Sequence, residues 1–142
     1  VVCADDFFLR PEQRTPERLA EPGGNLDRER MKSEVIDRLS ADALSYTPFD
    51  CGVMDFGSPV ELPPARLTIV EGAYSLHPYF GEYYDLAVFV TADLETRLAR
   101  IGARPGHNNV EMFRKRWIPM EERYLSACEV EARSNLVIDT TK

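Results

Sequence analysis

Lysine is scarce in this chain. Three occur in 142 residues, Lys32, Lys115 and Lys142, and none follows a glycine. A glycine-rich loop ending in Gly-Lys-Ser/Thr, whose backbone amides and lysine cradle phosphates, is therefore not among these residues. Cysteine is equally sparse. Cys3, Cys51 and Cys128 are odd in number and lie in no metal-ligand spacing, which argues against a disulfide framework and for a reducing, cytoplasmic setting. No apolar run approaches the roughly 20 residues that a membrane span needs, and nothing has the layout of a signal peptide, so no membrane partner is expected. Base is short overall: 17 Lys and Arg against 24 Asp and Glu leave a net charge of −7. That balance disfavours nucleic acid as a partner and requires any phosphate site to come from a local cluster of base.

What is present is enough for a folded domain, since 44% of the residues are hydrophobic. Four short apolar runs stand out: "VVCADDFF" at 1–8, "RLTIVEG" at 66–72, "YDLAVFVTA" at 84–92 and "NLVIDT" at 135–140. Such runs read as strands buried on both faces of a parallel sheet, near residues 1–5, 67–71, 86–91 and 136–139. Helical patterns separate them. Met31, Val35, Ile36, Leu39 and Ala43 predict an amphipathic helix over 28–44, and Leu94, Leu98 and Ile101 predict another. A third helical stretch, 108–132, contains Pro119, which should kink or split it. Trp117, Phe113 and Tyr124 fall at helical spacing and read as core. Strand alternating with helix predicts one α/β domain across 1–142. Residues 10–26, with three prolines and Gly23–Gly24, read as a long binding loop, and 46–65 as a stretch able to hold a short hairpin.

Open parallel sheets bind ligands beyond the carboxyl ends of their strands. Asp5 and Asp6 end one predicted strand and Glu71 ends another. Two acids delivered to one sheet edge suit a magnesium-nucleotide site, where one carboxylate holds the metal and another takes a proton from an attacking hydroxyl. The plainer alternative is that Asp5 caps a turn and Glu71 makes a surface ion pair. Arg97, Arg100 and Arg104 fall three and four apart on one helical stripe, and arginine forks well onto phosphate; the plainer reading is a solvated face. Asp27 precedes a helix and reads first as an N-cap. Phe49 either stacks on a ligand ring or anchors its loop. His77 reads as a loop histidine held by its neighbours.

Taken together and in order, "DDFFLRPEQRTPERLAEPGGNLD", "YTPFDCG", "TIVEGAYSLHPYF", "YDLAVFVTADLETRLARI" and "WIPMEERY" resemble the uridine kinase-like family of P-loop nucleoside kinases. The resemblance implies a P-loop NTPase-type α/β fold, a mostly parallel sheet with flanking helices. It implies ATP and Mg²⁺ as cofactors, and a nucleoside, uridine- or cytidine-like, as the acceptor of the γ-phosphoryl group at its 5′-hydroxyl. Asp5 then matches the family's general base near the metal and Glu71 its metal-site acid. Asp27 matches the ribose-binding Asp, and Phe49 the aromatic that faces the base. Arg97, Arg100 and Arg104 resemble the lid arginines, within a lid at about 97–116. The family's usual histidine a few residues after Phe49 is absent from "FDCGVMDF".

The family places its first strand, phosphate loop and first helix ahead of the segment that opens here. The expectation is therefore a truncated nucleoside kinase-like domain lacking them, with the absent strand lying between "LTIVEG" and "LAVFVTA". The rival readings are a kinase of another small alcohol, such as pantothenate or a sugar phosphate, and a non-catalytic nucleoside-binding module. Self-association into a homo-oligomer stays open.

Overall fold

The four apolar runs do become strands, paired two by two. In the computed structural model, which describes residues 1–41, 43–104 and 109–141, the chain forms two compact units, Val1–Tyr83 and Tyr84–Lys142. In the first unit β1 (Val2–Cys3) runs parallel to β6 (Val70–Glu71). Between them in sequence lie α1 (Pro16–Ala20), α2 (Arg28–Glu34) and four antiparallel strands. These are β2 (Leu44–Tyr46), β3 (Phe49–Asp50), β4 (Asp55–Phe56) and β5 (Val60–Leu62). β3 pairs with β4 inside the β2–β5 pair, so the expected hairpin is a nested one. In the second unit β7 (Val88–Thr91) runs parallel to β8 (Leu136–Asp139).

The expected mostly parallel sheet is corrected to a mixed α/β arrangement of two-stranded parallel and antiparallel sheets. The first strand is shorter than its apolar run because Ala4–Phe7 wind into a 3-10 turn, with Asp5 and Asp6 in its first turn. Burial on both faces is also corrected. Among the described residues no third strand flanks either parallel pair, and all four residues of β8 are exposed.

The first unit's core includes Val2, Ala4, Phe7, Leu9, Leu26, Met31 and Val35, drawn from β1, the turn after it, α2 and the residues flanking these elements. The helix expected over 28–44 stops at Glu34. Val35 leaves helical geometry (φ −120°, ψ −65°), a 3-10 turn covers Ile36–Arg38, and Leu44 is recruited into β2. Its apolar spacing still holds, since Met31, Val35 and Ile36 are all buried; the side chains reach the core by a shorter path.

The 10–26 segment is organised rather than loose. Thr15 caps α1 by accepting the Arg18 N–H, with Pro16 in the first turn, where a missing N–H costs nothing. Arg18 then forks onto Glu29 at 2.9 and 2.7 Å and donates to the carbonyls of Gly24 and Leu26. That fork holds the Glu29 carboxyl down at about 2. His77 fastens the segment from the other side. Its Nε2–H donates to the Pro22 carbonyl at 3.2 Å and its Nδ1 accepts the Tyr79 N–H at 3.1 Å, an arrangement that needs the neutral ring. Burial lowers its pKa in the same sense.

In the second unit Asp93 caps α3 (Leu94–Gly102), whose Leu98 and Ile101 pack with Ile118, Val110 and Phe113. α4 (Val110–Met112) continues through a π turn, Phe113–Trp117, into α5 (Ile118–Ala127), followed by α6 (Val130–Arg133). Pro119 does not split this helix. It sits in the first turn of α5, and the π turn just before it relieves the clash with the carbonyl four residues back. Of the aromatics expected in the core, Tyr124 is fully buried, while Phe113 and Trp117 are partly so. Among the described residues no helix is long and apolar enough to cross a membrane.

Candidate active site

The acids that end β1 and β6 lie at the same, carboxyl end of a parallel pair. Cys3 and Glu71 are register partners, and Asp5 follows Cys3 by two residues in the 3-10 turn. Both carboxylates are exposed. Gly72 makes the close approach possible: it has φ +119°, and a Cβ there would lie 2.9 Å from Ala4 Cβ. The Cys3 thiol stands beside both acids. Burial and a hydrogen bond to the Glu71 side chain push it up to about 12, against a lowering contact from the Asp5 backbone. It therefore stays protonated. Two exposed carboxylates fit Mg²⁺, which takes one or two protein carboxylates and completes its shell with water and substrate phosphates. Among the described residues no group of three or more His, Cys, Asp or Glu is gathered to hold a metal alone.

Arg30 ties the turn carrying Asp5 to the rest of the unit. Its guanidinium donates to the Asp6 carbonyl at 2.8 Å, the Thr47 carbonyl at 2.6 Å and Glu34 at 3.2 Å, and lies 4.4 Å above the Phe7 ring. Among the described residues its Nε has no hydrogen-bond partner, being 3.9 Å from Asp27 Oδ2. Burial lowers the Arg30 pKa, with the charges of Glu34, Asp27 and Asp6 opposing. Asp6 is held independently, its carboxylate accepting the Tyr46 hydroxyl at 2.9 Å. Burial, then that bond, raises the Tyr46 pKa.

Asp27 occupies the N-cap foreseen for it. Oδ1 accepts the Arg30 N–H and Oδ2 accepts Gln13 Nε2, each at 3.1 Å, and the residue is 6% exposed. Phe49 is 4% exposed, packed edge-on against Phe56 with centroids 6.4 Å apart. The ring that offers area to solvent is Phe56, 40% exposed, with Arg10 at 5.7 Å and Arg30 at 5.0 Å from its centroid. Sequence reasoning passed over Phe56, Gln13 and Arg14. The signal for Phe56 was the hairpin itself, since Phe49 and Phe56 are register partners.

In the second unit the arginine stripe divides. Arg97 is ion-paired to Glu121 and Glu122 at 2.9 and 3.2 Å, tying α3 to α5. Arg100 donates to the hydroxyl and carbonyl of Thr140 at 2.8 and 2.7 Å. Arg104 is exposed. The expected lid at 97–116 lies partly outside the described residues, which omit 105–108.

No protein-family model matches the chain, and no curated protein matches its sequence. Among solved structures it is similar to that of a possible uridine kinase from Bacillus stearothermophilus, with TM-score 0.70 and 18% identity, over 96% of this chain and 70% of that one. The chain thus has a mixed α/β fold shared with that structure.

Proposed function

We propose that these residues form the acceptor side and the catalytic acid cluster of an ATP-dependent small-molecule kinase. The resemblance implies a uridine- or cytidine-like nucleoside as acceptor, phosphorylated at its 5′-hydroxyl, with a sugar phosphate or pantothenate as the rival acceptors. The observation that carries the reading is the delivery of Asp5 and Glu71 to one end of the β1–β6 pair, where Gly72 lets the chain pass close to Ala4. The fold shared with the structure of a possible uridine kinase supports it.

In this reading Asp5 accepts the proton of the attacking hydroxyl. The acceptor oxygen forms the new P–O bond as the bond from the γ-phosphorus to ADP breaks. Glu71 is the carboxylate that would hold Mg²⁺, directly or through water. ATP with magnesium supplies, when bound, the phosphoryl group and the positive charge that offsets its oxygens. Asp27 takes acceptor hydroxyls through Oδ2 by displacing Gln13, and Phe49, with Phe56 beside it, lines the acceptor ring. Arg104 is the first of the three arginines available to phosphate, because Arg97 and Arg100 are engaged by Glu121, Glu122 and Thr140. The phosphate cradle itself is not supplied by these 142 residues, which contain no Gly-Lys pair.

The test is phosphorus NMR of the translation product of the whole reading frame with Mg·ATP and a panel of nucleosides and other small alcohols. A new phosphomonoester resonance is expected with at least one acceptor. ATP left intact across the panel would count against the reading.

A further inference from the structure

The first unit holds five partly buried arginines: Arg10, Arg14, Arg18, Arg28 and Arg30. Four face carboxylates within 4 Å, Arg10 on Glu12, Arg18 on Glu29, Arg28 on Glu21 and Glu29, and Arg30 on Glu34. Among the described residues Arg14 faces none. Its Nε donates to the Leu9 carbonyl at 2.8 Å and its guanidinium lies 5.6 Å from the centroid of the Phe49 ring. Both terminal nitrogens, the forked pair suited to an oxyanion, are left without a protein partner among the described residues.

In a chain with 24 acids and 17 bases, a half-buried arginine that meets no acid runs against the composition. Anchoring the loop explains the Nε bond and the stacking, and it uses neither terminal nitrogen. The same guanidinium borders the candidate site. The Cys51 thiol, raised chiefly by burial, is lowered by the charge of Arg14 and raised by that of Asp5, so both charges act on one neighbourhood.

We infer that Arg14 binds an oxyanion on the acceptor, so that the preferred acceptor is a small alcohol carrying a carboxylate or phosphate rather than a neutral nucleoside. This rests on the kinase reading for the word acceptor; the anion site itself does not depend on transfer.

The experiment is calorimetric titration of residues 1–142 at low ionic strength with ribose 5-phosphate, pantothenate and uridine. The first two separate phosphate from carboxylate. At least one anionic alcohol is expected to bind more tightly than uridine. Arg14→Gln is expected to weaken that binding about tenfold or more, the range for one lost charge-assisted contact. Arg14→Lys, which keeps charge and loses the fork, should fall between, and guards against a Gln variant that folds poorly. Arg66→Gln, an equal charge change at an exposed position, should leave affinity unchanged. Uridine binding as tightly as both anions, no anion binding at all, or equal losses in the Arg14 and Arg66 variants would each overturn the inference. Arg14-dependent anion binding, with no phosphoryl transfer to any acceptor by the translation product of the whole reading frame, would sink the kinase reading alone. Efficient uridine phosphorylation indifferent to Arg14→Gln would sink the anion site alone.

Discussion

Arg30→Met is the substitution whose cost the structure specifies most fully. Methionine keeps much of the apolar stem over Phe7 and removes the guanidinium. What disappears are the bonds to the Asp6 and Thr47 carbonyls, at 2.8 and 2.6 Å, and the pair with Glu34. Bonds to a charged donor contribute about 1.5–3 kcal/mol each, while a pair as accessible as that with Glu34 adds about 0–1 kcal/mol. Replacing a buried ion by an apolar isostere can be neutral when the partners leave together. Here they remain, as two backbone carbonyls in partly buried surroundings. The expected loss is about 3–5 kcal/mol. For a unit of this size each kcal/mol lowers the melting temperature by about 4–8 °C, so a fall of about 12 °C or more is expected. Urea unfolding followed by near-UV circular dichroism measures it, with Arg30→Lys as the charge-retaining comparison. A Met variant within about 1 kcal/mol of the wild type would refute the assignment of Arg30 as the tie between α2, the Asp5 turn and the hairpin.

Three further outcomes follow from the geometry. His77 is held neutral with its pKa below 6.5, so the folded state binds fewer protons than the unfolded state as pH falls; its contribution is complete above about pH 6.5 and declines below it. The urea midpoint should therefore drop between pH 6.5 and 5 in the wild type and drop less in His77→Gln; equal slopes would contradict the bonding described for the ring. Glu29, depressed from 4.5 to about 2 by its bond to Arg18, contributes stability above pH 4.5 that is lost toward pH 2, and Glu29→Gln should flatten that acid limb. Gly72→Ala would force a Cβ to 2.9 Å from Ala4 Cβ at a positive φ. It should destabilise the unit by about 1–3 kcal/mol, read from the same urea curves, and no loss would mean that the β1–β6 exit is not constrained.

The parts of the fold legible in the sequence were those set by local chemistry. The strand "NLVIDT" was placed over 136–139 because an apolar run bounded by polar residues has few alternatives, and β8 covers those residues. The N-cap at Asp27 was legible for a similar reason, a short acid ahead of an amphipathic run. The spacing of Leu39 and Ala43 continues a helical pattern past the end of α2 at Glu34, and periodicity alone cannot register that Leu44 pairs with Leu62 across the hairpin. Phe56 was missed because its importance comes from pairing with Phe49, a register that no single residue announces. Arg14 was missed for the opposite reason. Its distinction is the acid it does not meet, and that emerges only once the other four arginines have found theirs. Of the expected stripe only Arg97 and Arg100 lie on α3, which ends at Gly102 ahead of Arg104, and spacing carries no information about Glu121 or Thr140 opposite those two.

The central claim is that Asp5 takes the proton in a phosphoryl transfer from ATP to a small alcohol. Turnover of γ-labelled ATP by the translation product of the whole reading frame, wild type against Asp5→Asn and with its best acceptor, tests it most directly. The account predicts label in the acceptor and a kcat lowered by about 10²–10⁴-fold in the variant, the range for losing a general base. It also predicts no transfer by residues 1–142 alone, which lack the Gly-Lys loop. An Asp5→Asn protein with undiminished kcat, or robust transfer by residues 1–142 alone, would contradict it.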